Sequence, residues 1–181
     1  YLLAGQVTDA VTLALAQYGQ ARNMTESLGA LSALLQHAPQ AAAEPLAGFH
    51  ARWRDDPLVL DRWFGAQASA PGCTVAGVRA LMALPDFSLR NPNRARAVVF
   101  RFCLDNPGNL HTPEGYDFWA EQVLALDALN PEVAARLSRA FDNWARHEPV
   151  ARAGMQAALQ RVLDAPDLSR NVREIVSKAL G

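Results

Sequence analysis

Asn23-Met24-Thr25-Glu26-Ser27-Leu28-Gly29-Ala30-Leu31-Ser32-Ala33-Leu34-Leu35 reads as one amphipathic helix with its start signal attached. Met24, Leu28, Leu31 and Leu35 recur at i, i+4, i+7 and i+11, which places them on one face of a 3.6-residue helix. Asn23 stands three residues before Glu26, a variant of the capping box in which each side chain serves a free amide of the other's backbone. The same period recurs along the chain, and no segment alternates apolar and polar residues long enough for a strand. The class is therefore all-α.

Upstream, Val7, Val11, Leu15 and Tyr18 form a first stripe. Downstream, Pro39 is expected to open a helix through Leu46, Phe49 and Trp53, and Asp56-Pro57 another, with Val59 above Trp63 and Leu60 above Phe64. Residues 71–92 are more broken: Pro71, Gly72, Pro85 and Pro92 frame a short helix over 75–83, and this segment marks a soft boundary within a single domain, 1–181. From Asn93, the residues Ala95, Val98, Val99, Phe102 and Cys103 share a face while Phe100 points to the other side, the pattern of a helix held between two neighbours. Residues 105–115, with Asn106-Pro107-Gly108 and Thr112-Pro113-Glu114-Gly115, predict a loop. Helices follow over 116–128, 131–145, 150–163 and 168–180, giving about nine in all. Short connections imply antiparallel neighbours, in a bundle or in a solenoid of helix pairs; tetratricopeptide and ankyrin signatures are absent, so a solenoid would be a degenerate one.

Half of the 181 residues are apolar, enough for a substantial core. The formal charge is −1 with acids and bases interspersed, so nucleic acid is not an expected partner. All 17 basic residues except Lys178 are Arg. Cys73 and Cys103 form no C-x-x-C pair and read as small buried hydrophobes of a reducing compartment. No apolar run reaches the roughly 18 residues of a membrane span. Tyr1-Leu2-Leu3-Ala4 lacks a Met and any leader pattern, which suggests a piece of a longer protein.

Complete catalytic constellations are missing. His37, His50, His111 and His147 lie far apart in sequence, and His147-Glu148-Pro149 is only a fragment of a zinc motif broken by proline. There is no G-x-S-x-G and no Gly-rich phosphate loop. Trp53, Trp63, Trp119 and Trp144 sit on apolar stripes and are expected in the core. The positions most open to function are Arg96 and Arg136, each flanking an apolar stripe, where the stem can pack and the guanidinium can face a cleft. At 100° per residue, Arg96 lies about 90° from the Val98, Val99 and Phe102 face; Arg136 flanks Val133, Leu137, Phe141 and Trp144 in the same way.

Four runs carry a resemblance: residues 21–31, residues 53–64 ending in Leu58-Val59-Leu60-Asp61-Arg62-Trp63-Phe64, Asn91-Pro92-Asn93-Arg94-Ala95-Arg96, and Asn130-Pro131-Glu132-Val133-Ala134-Ala135-Arg136-Leu137. In this order they resemble the C-terminal helical domain of bacterial aminopeptidase N, a gluzincin zinc metallopeptidase. The resemblance implies a superhelical stack of antiparallel helix pairs, a degenerate HEAT- or armadillo-like solenoid, and a cytoplasmic enzyme. It implies that zinc and the H-E-x-x-H motif lie upstream in a catalytic domain of the same polypeptide, so this chain has no catalytic or metal-binding residues and no cofactor of its own and is inactive alone. It further implies that the helices cap the active site and shape a cavity for peptide substrates, with Arg96, Arg136 and, more weakly, Glu132 lining it. A first-turn acid such as Glu132 also simply suits the helix dipole. The rival reading is a free-standing helical-repeat scaffold that binds a partner protein in a concave groove.

Overall fold

The structure, a computed structural model, describes residues 9–181. Val7 and the Tyr1 to Ala4 run lie outside them. Among these residues eleven helices follow one another: α1 Ala10–Gln20, α2 Met24–His37, α3 Ala43–Trp53, α4 Pro57–Ala68 and α5 Val75–Met82. Next comes α6, a continuous rod made of Pro92–Ala95, a π segment Arg96–Phe100 and Arg101–Asp105. Then follow α7 Pro107–Leu110, α8 Pro113–Asp127, α9 Pro131–Ser138, α10 Pro149–Leu163 and α11 Arg170–Leu180. No strand occurs among the described residues.

Sequence-local chemistry fixes most helix starts. Asn23 accepts from the Glu26 amide at 2.9 Å while Glu26 accepts from the Arg22 amide at 2.8 Å. Asp56, Asn91, Thr112, Asn130 and Glu148 each cap a first turn and are each followed by proline at the first helical position. Packing then runs both between sequence neighbours and between every second helix: α1 on α2, α2 on α4, α4 on α6, α8 on α9 and α10, and α9 on α11. This is the stack of helix pairs that the resemblance implies. Buried side chains from Ala14 to Val176 form one continuous cluster. Phe102 meets Phe118 edge-on at 5.2 Å, and Trp119 lies 4.2 Å from Phe141. The α6 helix is sandwiched as its two-sided pattern predicts, with Val98, Val99 and Phe102 fully buried.

The structure departs from the expected elements in several places. At the end of the stack α1 buries Ala10 and Ala14 against α2, so Leu15 of the expected stripe is exposed together with Leu13. Pro39 opens a 3-10 turn, Pro39–Ala41, and α3 starts only at Ala43. Residues 105–115 are not a loop, because they hold α7 and the first turn of α8. Thr112 caps the Gly115 amide at 3.0 Å, and a Cβ at Gly115 would run into the carbonyls of Leu110 and Asn109, so glycine permits this tight corner. The helix expected over 131–145 stops at Ser138. Its hydroxyl turns back onto the Ala134 carbonyl at 2.9 Å, and Trp119 Nε1 takes the Leu137 carbonyl at 3.2 Å. Two 3-10 turns, Arg139–Phe141 and Trp144–Arg146, follow. The unexpected α7 adds to the helix count, and eleven stand among the described residues where about nine were expected.

Of the four tryptophans, Trp63 and Trp119 are buried, whereas Trp53 and Trp144 are half-buried at the edge. Cys103 is buried as expected, but Cys73 is only half-buried because it sits in the turn before α5. No helix among the described residues is long and apolar enough to cross a membrane.

Candidate functional site

An open groove of about 710 Å³ runs between α2, α4 and α6. Leu28, Leu58, Ala66 and Ala97 give it apolar walls, and Arg62, Arg96 and Arg101 line it as well. Leu58 is 68% exposed, an apolar side chain left largely open to solvent. Arg62, Arg96 and Arg101 are all exposed.

The π segment is what brings two of these arginines to one groove. In a straight α-helix, residues five apart sit about 140° apart around the axis. Here the Arg101 amide donates to the Arg96 carbonyl, five residues back, so one widened turn separates them and both line the same groove. Arg96 Nη1 donates to Asn93 Oδ1 at 3.3 Å, and Arg101 Nη1 pairs with Asp105 at 2.5 Å. The Arg101 stem lies across Gly65 of α4, where its Nε would stand 3.5 Å from a Cβ. Among the described residues neither Arg62 nor Arg96 has a carboxylate partner.

Beneath the groove the α4 and α6 helices are tied by a buried ion pair. Arg94 is 5% exposed, its Nε lies 2.6 Å from Asp61 Oδ1, and its guanidinium covers the Phe64 ring at 4.7 Å. It also donates to the Asp86 carbonyl. Arg94 and Asp61 escaped the sequence reading. The signal was present, because Asp61 is a lone acid inside Leu58-Val59-Leu60-Asp61-Arg62-Trp63-Phe64 and needs a partner when that stripe is buried.

The expected site residues stand on two helices, Arg96 on α6 and Glu132 and Arg136 on α9. Arg96 lines the large groove, whereas Arg136 and Glu132 are exposed on α9 and do not line that groove. The N-termini of the two helices do meet. Arg90 and Pro92 before and at the start of α6, and Asn130 and Val133 of the α9 start, line one small cavity of about 130 Å³.

A second polar cluster joins the α7–α8 corner to the start of α10. The His111 and His147 rings are 4.9 Å apart, and Tyr116 Oη lies 3.4 Å from His111 Nδ1. Burial, then the His147 charge, holds His111 below the usual histidine range. Burial, then the Glu148 carboxylate, raises Tyr116. Glu148 is lowered mainly by accepting from the Val150 and Ala151 amides. Burial pushes the Cys73 thiol up to about 11 and raises Cys103 as well, so neither is a poised nucleophile. Among the described residues no group of three or more His, Cys, Asp and Glu could hold a metal ion.

A family described as a domain of unknown function, DUF3458_C, with ARM repeats, matches residues 1–181. The chain belongs to this family, the C-terminal domain of aminopeptidase N. The aminopeptidase N of Caulobacter vibrioides is 42% identical over 170 residues, covering 92% of this chain and 20% of the relative. That of Escherichia coli K12 is 32% identical over 183 residues, covering 99% and 21%. A crystal structure of Legionella pneumophila aminopeptidase A in complex with aspartic acid superposes with a TM-score of 0.91 at 33% identity, covering 99% of this chain and 22% of that one. The DUF3458_C chain thus spans about a fifth of the length of these relatives.

Proposed function

We propose that this single helical domain is the non-catalytic part of a zinc-dependent aminopeptidase, where it caps the active site and shapes the cavity that admits peptides with a free N-terminus. The observation that carries this reading is similarity along nearly the whole chain to aminopeptidases of which it makes up about a fifth. Zinc, water activation and recognition of the substrate amine belong to the upstream catalytic domain, and this chain's contribution is positive charge and shape. Arg96 meets the peptide from the groove, and Arg136 with Glu132 from the first turns of α9. The neighbouring N-termini of α6 and α9 support this assignment, since residues of both starts line one small cavity. Each arginine can donate to peptide carbonyls or a terminal carboxylate.

Arg136→Ala in the full enzyme tests the reading. Its KM for peptides should rise by about threefold or more, as for a lost charge-assisted contact, with zinc content unchanged. Identical kinetics across peptides of several lengths contradict the cavity role. Stoichiometric zinc in the isolated chain contradicts the assignment of the metal to the upstream domain.

A further inference from the structure

We propose that the groove between α2, α4 and α6 is a subsite for carboxylate side chains of peptide substrates, and that Arg62 and Arg101, beside Arg96, set a preference for acidic residues downstream of the cleaved bond. This rests on the cavity reading, which opens the groove toward the substrate through Arg96.

Three observations carry it. First, charge: three guanidinium groups line one groove, while its own acid, Asp61, is neutralised beneath it by Arg94. Arg101 spends one of its five donors on Asp105 and keeps the others, and Arg62 and Arg96 have no carboxylate among the described residues. Second, backbone: a π turn occurs between Arg96 and Arg101 and turns both toward the groove. Such a turn gives up regular α-helical hydrogen bonding and occurs frequently at functional sites. Third, size and lining: about 710 Å³ lies within the range of small-ligand sites. Leu28 and Leu58 offer apolar contact to aliphatic stems, and Ser32, Gln36 and Asn93 offer polar contacts. Positive forks above apolar walls fit Glu and Asp side chains on an extended peptide.

The full enzyme is assayed with C-terminally amidated peptides that share a neutral N-terminal residue. They carry a Glu-Glu or a Gln-Gln pair moved stepwise along the chain. The wild type is expected to favour the Glu peptide by about tenfold in kcat/KM at the best position, ~1.4 kcal/mol. High salt should erase that preference. Arg62→Gln/Arg101→Gln should reduce it to about twofold, and Arg62→Lys/Arg101→Lys should retain part of it. Arg152→Gln/Arg170→Gln, on α10 and α11 and outside the groove, should leave it intact and controls for the loss of two charges. All replaced arginines are exposed, and equal circular dichroism melts confirm folding.

An unchanged preference in the Gln variant overturns the proposal. So does a wild type without preference: if Arg96→Ala or Arg136→Ala still alters peptide kinetics, the subsite falls and the cavity reading stands. A wild type without preference whose Gln variant melts earlier also overturns it, assigning the groove to an acidic segment of the enzyme's own chain.

Discussion

Replacing Arg94 by Met asks whether the junction of α4 and α6 depends on a buried charge pair. The Arg94 side chain is 6% exposed and that of Asp61 17%, with 2.6 Å between Nε and Oδ1. Methionine keeps much of the stem that packs on Phe64 but removes the charge. It also leaves the Asp86 carbonyl without its guanidinium donor. Breaking a buried ion pair from one side costs about 3–5 kcal/mol, because the surviving charge is left unpaired. Asp61 borders the groove, so water can reach it in part, which places the expected loss near about 3 kcal/mol. With a urea slope of about 2 kcal/mol per molar, the unfolding midpoint should fall by about 1.5 M. Asp61→Asn/Arg94→Met removes both charges and should recover at least half of that loss, since a pair replaced by neutral groups is often nearly neutral in stability. Urea titrations followed by far-ultraviolet circular dichroism measure all three proteins. A midpoint shift below about 0.3 M for Arg94→Met, or a double variant weaker than the single one, would refute a desolvated pair.

Asn106 is 3% exposed, and its Nδ2 reaches the carbonyls of Ala68, Ala70 and Cys73 at 2.9 to 3.2 Å. Asn106→Leu should therefore cost about 2 kcal/mol in thermal or urea unfolding, since buried acceptors lose their donor; a neutral result would show that water replaces the amide. His111 should make stability fall with acid. Its folded-state value lies below 6.5, so the unfolded chain takes up the proton first. Stability from this group is full above pH 6.5 and is lost as the pH falls from there through the lowered folded-state value. His147→Gln removes the smaller cause and should make the dependence shallower, and His111→Gln should abolish it; a slope unchanged in His111→Gln would assign the acid sensitivity elsewhere.

The legible part of the fold is the part governed by the 3.6-residue period and by caps. Asn23 and Asp56 announced α2 and α4, and the apolar stripe of Val98, Val99 and Phe102 named the buried face of α6. What stayed hidden depends on partners distant in sequence. The stop of α9 is set in part by Trp119, whose indole takes a carbonyl 18 positions downstream. The helical content of 105–115 depends on Asn106, which faces carbonyls more than 30 positions upstream. The candidate site was half legible. Arg96 stood out as a stripe-flanking arginine, but Arg101 did not, because a strict 100° step places it on another side of the helix and only the π turn returns it.

Arg94 and Arg96 show how one residue type takes opposite roles two positions apart. Both lie near the start of α6, yet Arg94 is buried against Asp61 and Phe64 while Arg96 is exposed along the groove. The difference comes from α4: Phe64 is buried, Asp61 lies at the edge of the groove where it meets Arg94, and Arg62 and Gly65 line the groove itself. The buried pair thus fixes the spacing between the two helices that carry the exposed arginines. A guanidinium held on a fixed wall loses less freedom when it meets a carboxylate, so its contact is worth more than that of a free surface arginine. Stability at Arg94 and selectivity at Arg62 and Arg101 should consequently be coupled. If Arg94→Met lowers the midpoint as expected, it should also weaken the preference for acidic peptides under conditions where the enzyme remains folded. A full preference in a destabilised but folded Arg94→Met enzyme would show that the groove arginines act without that support.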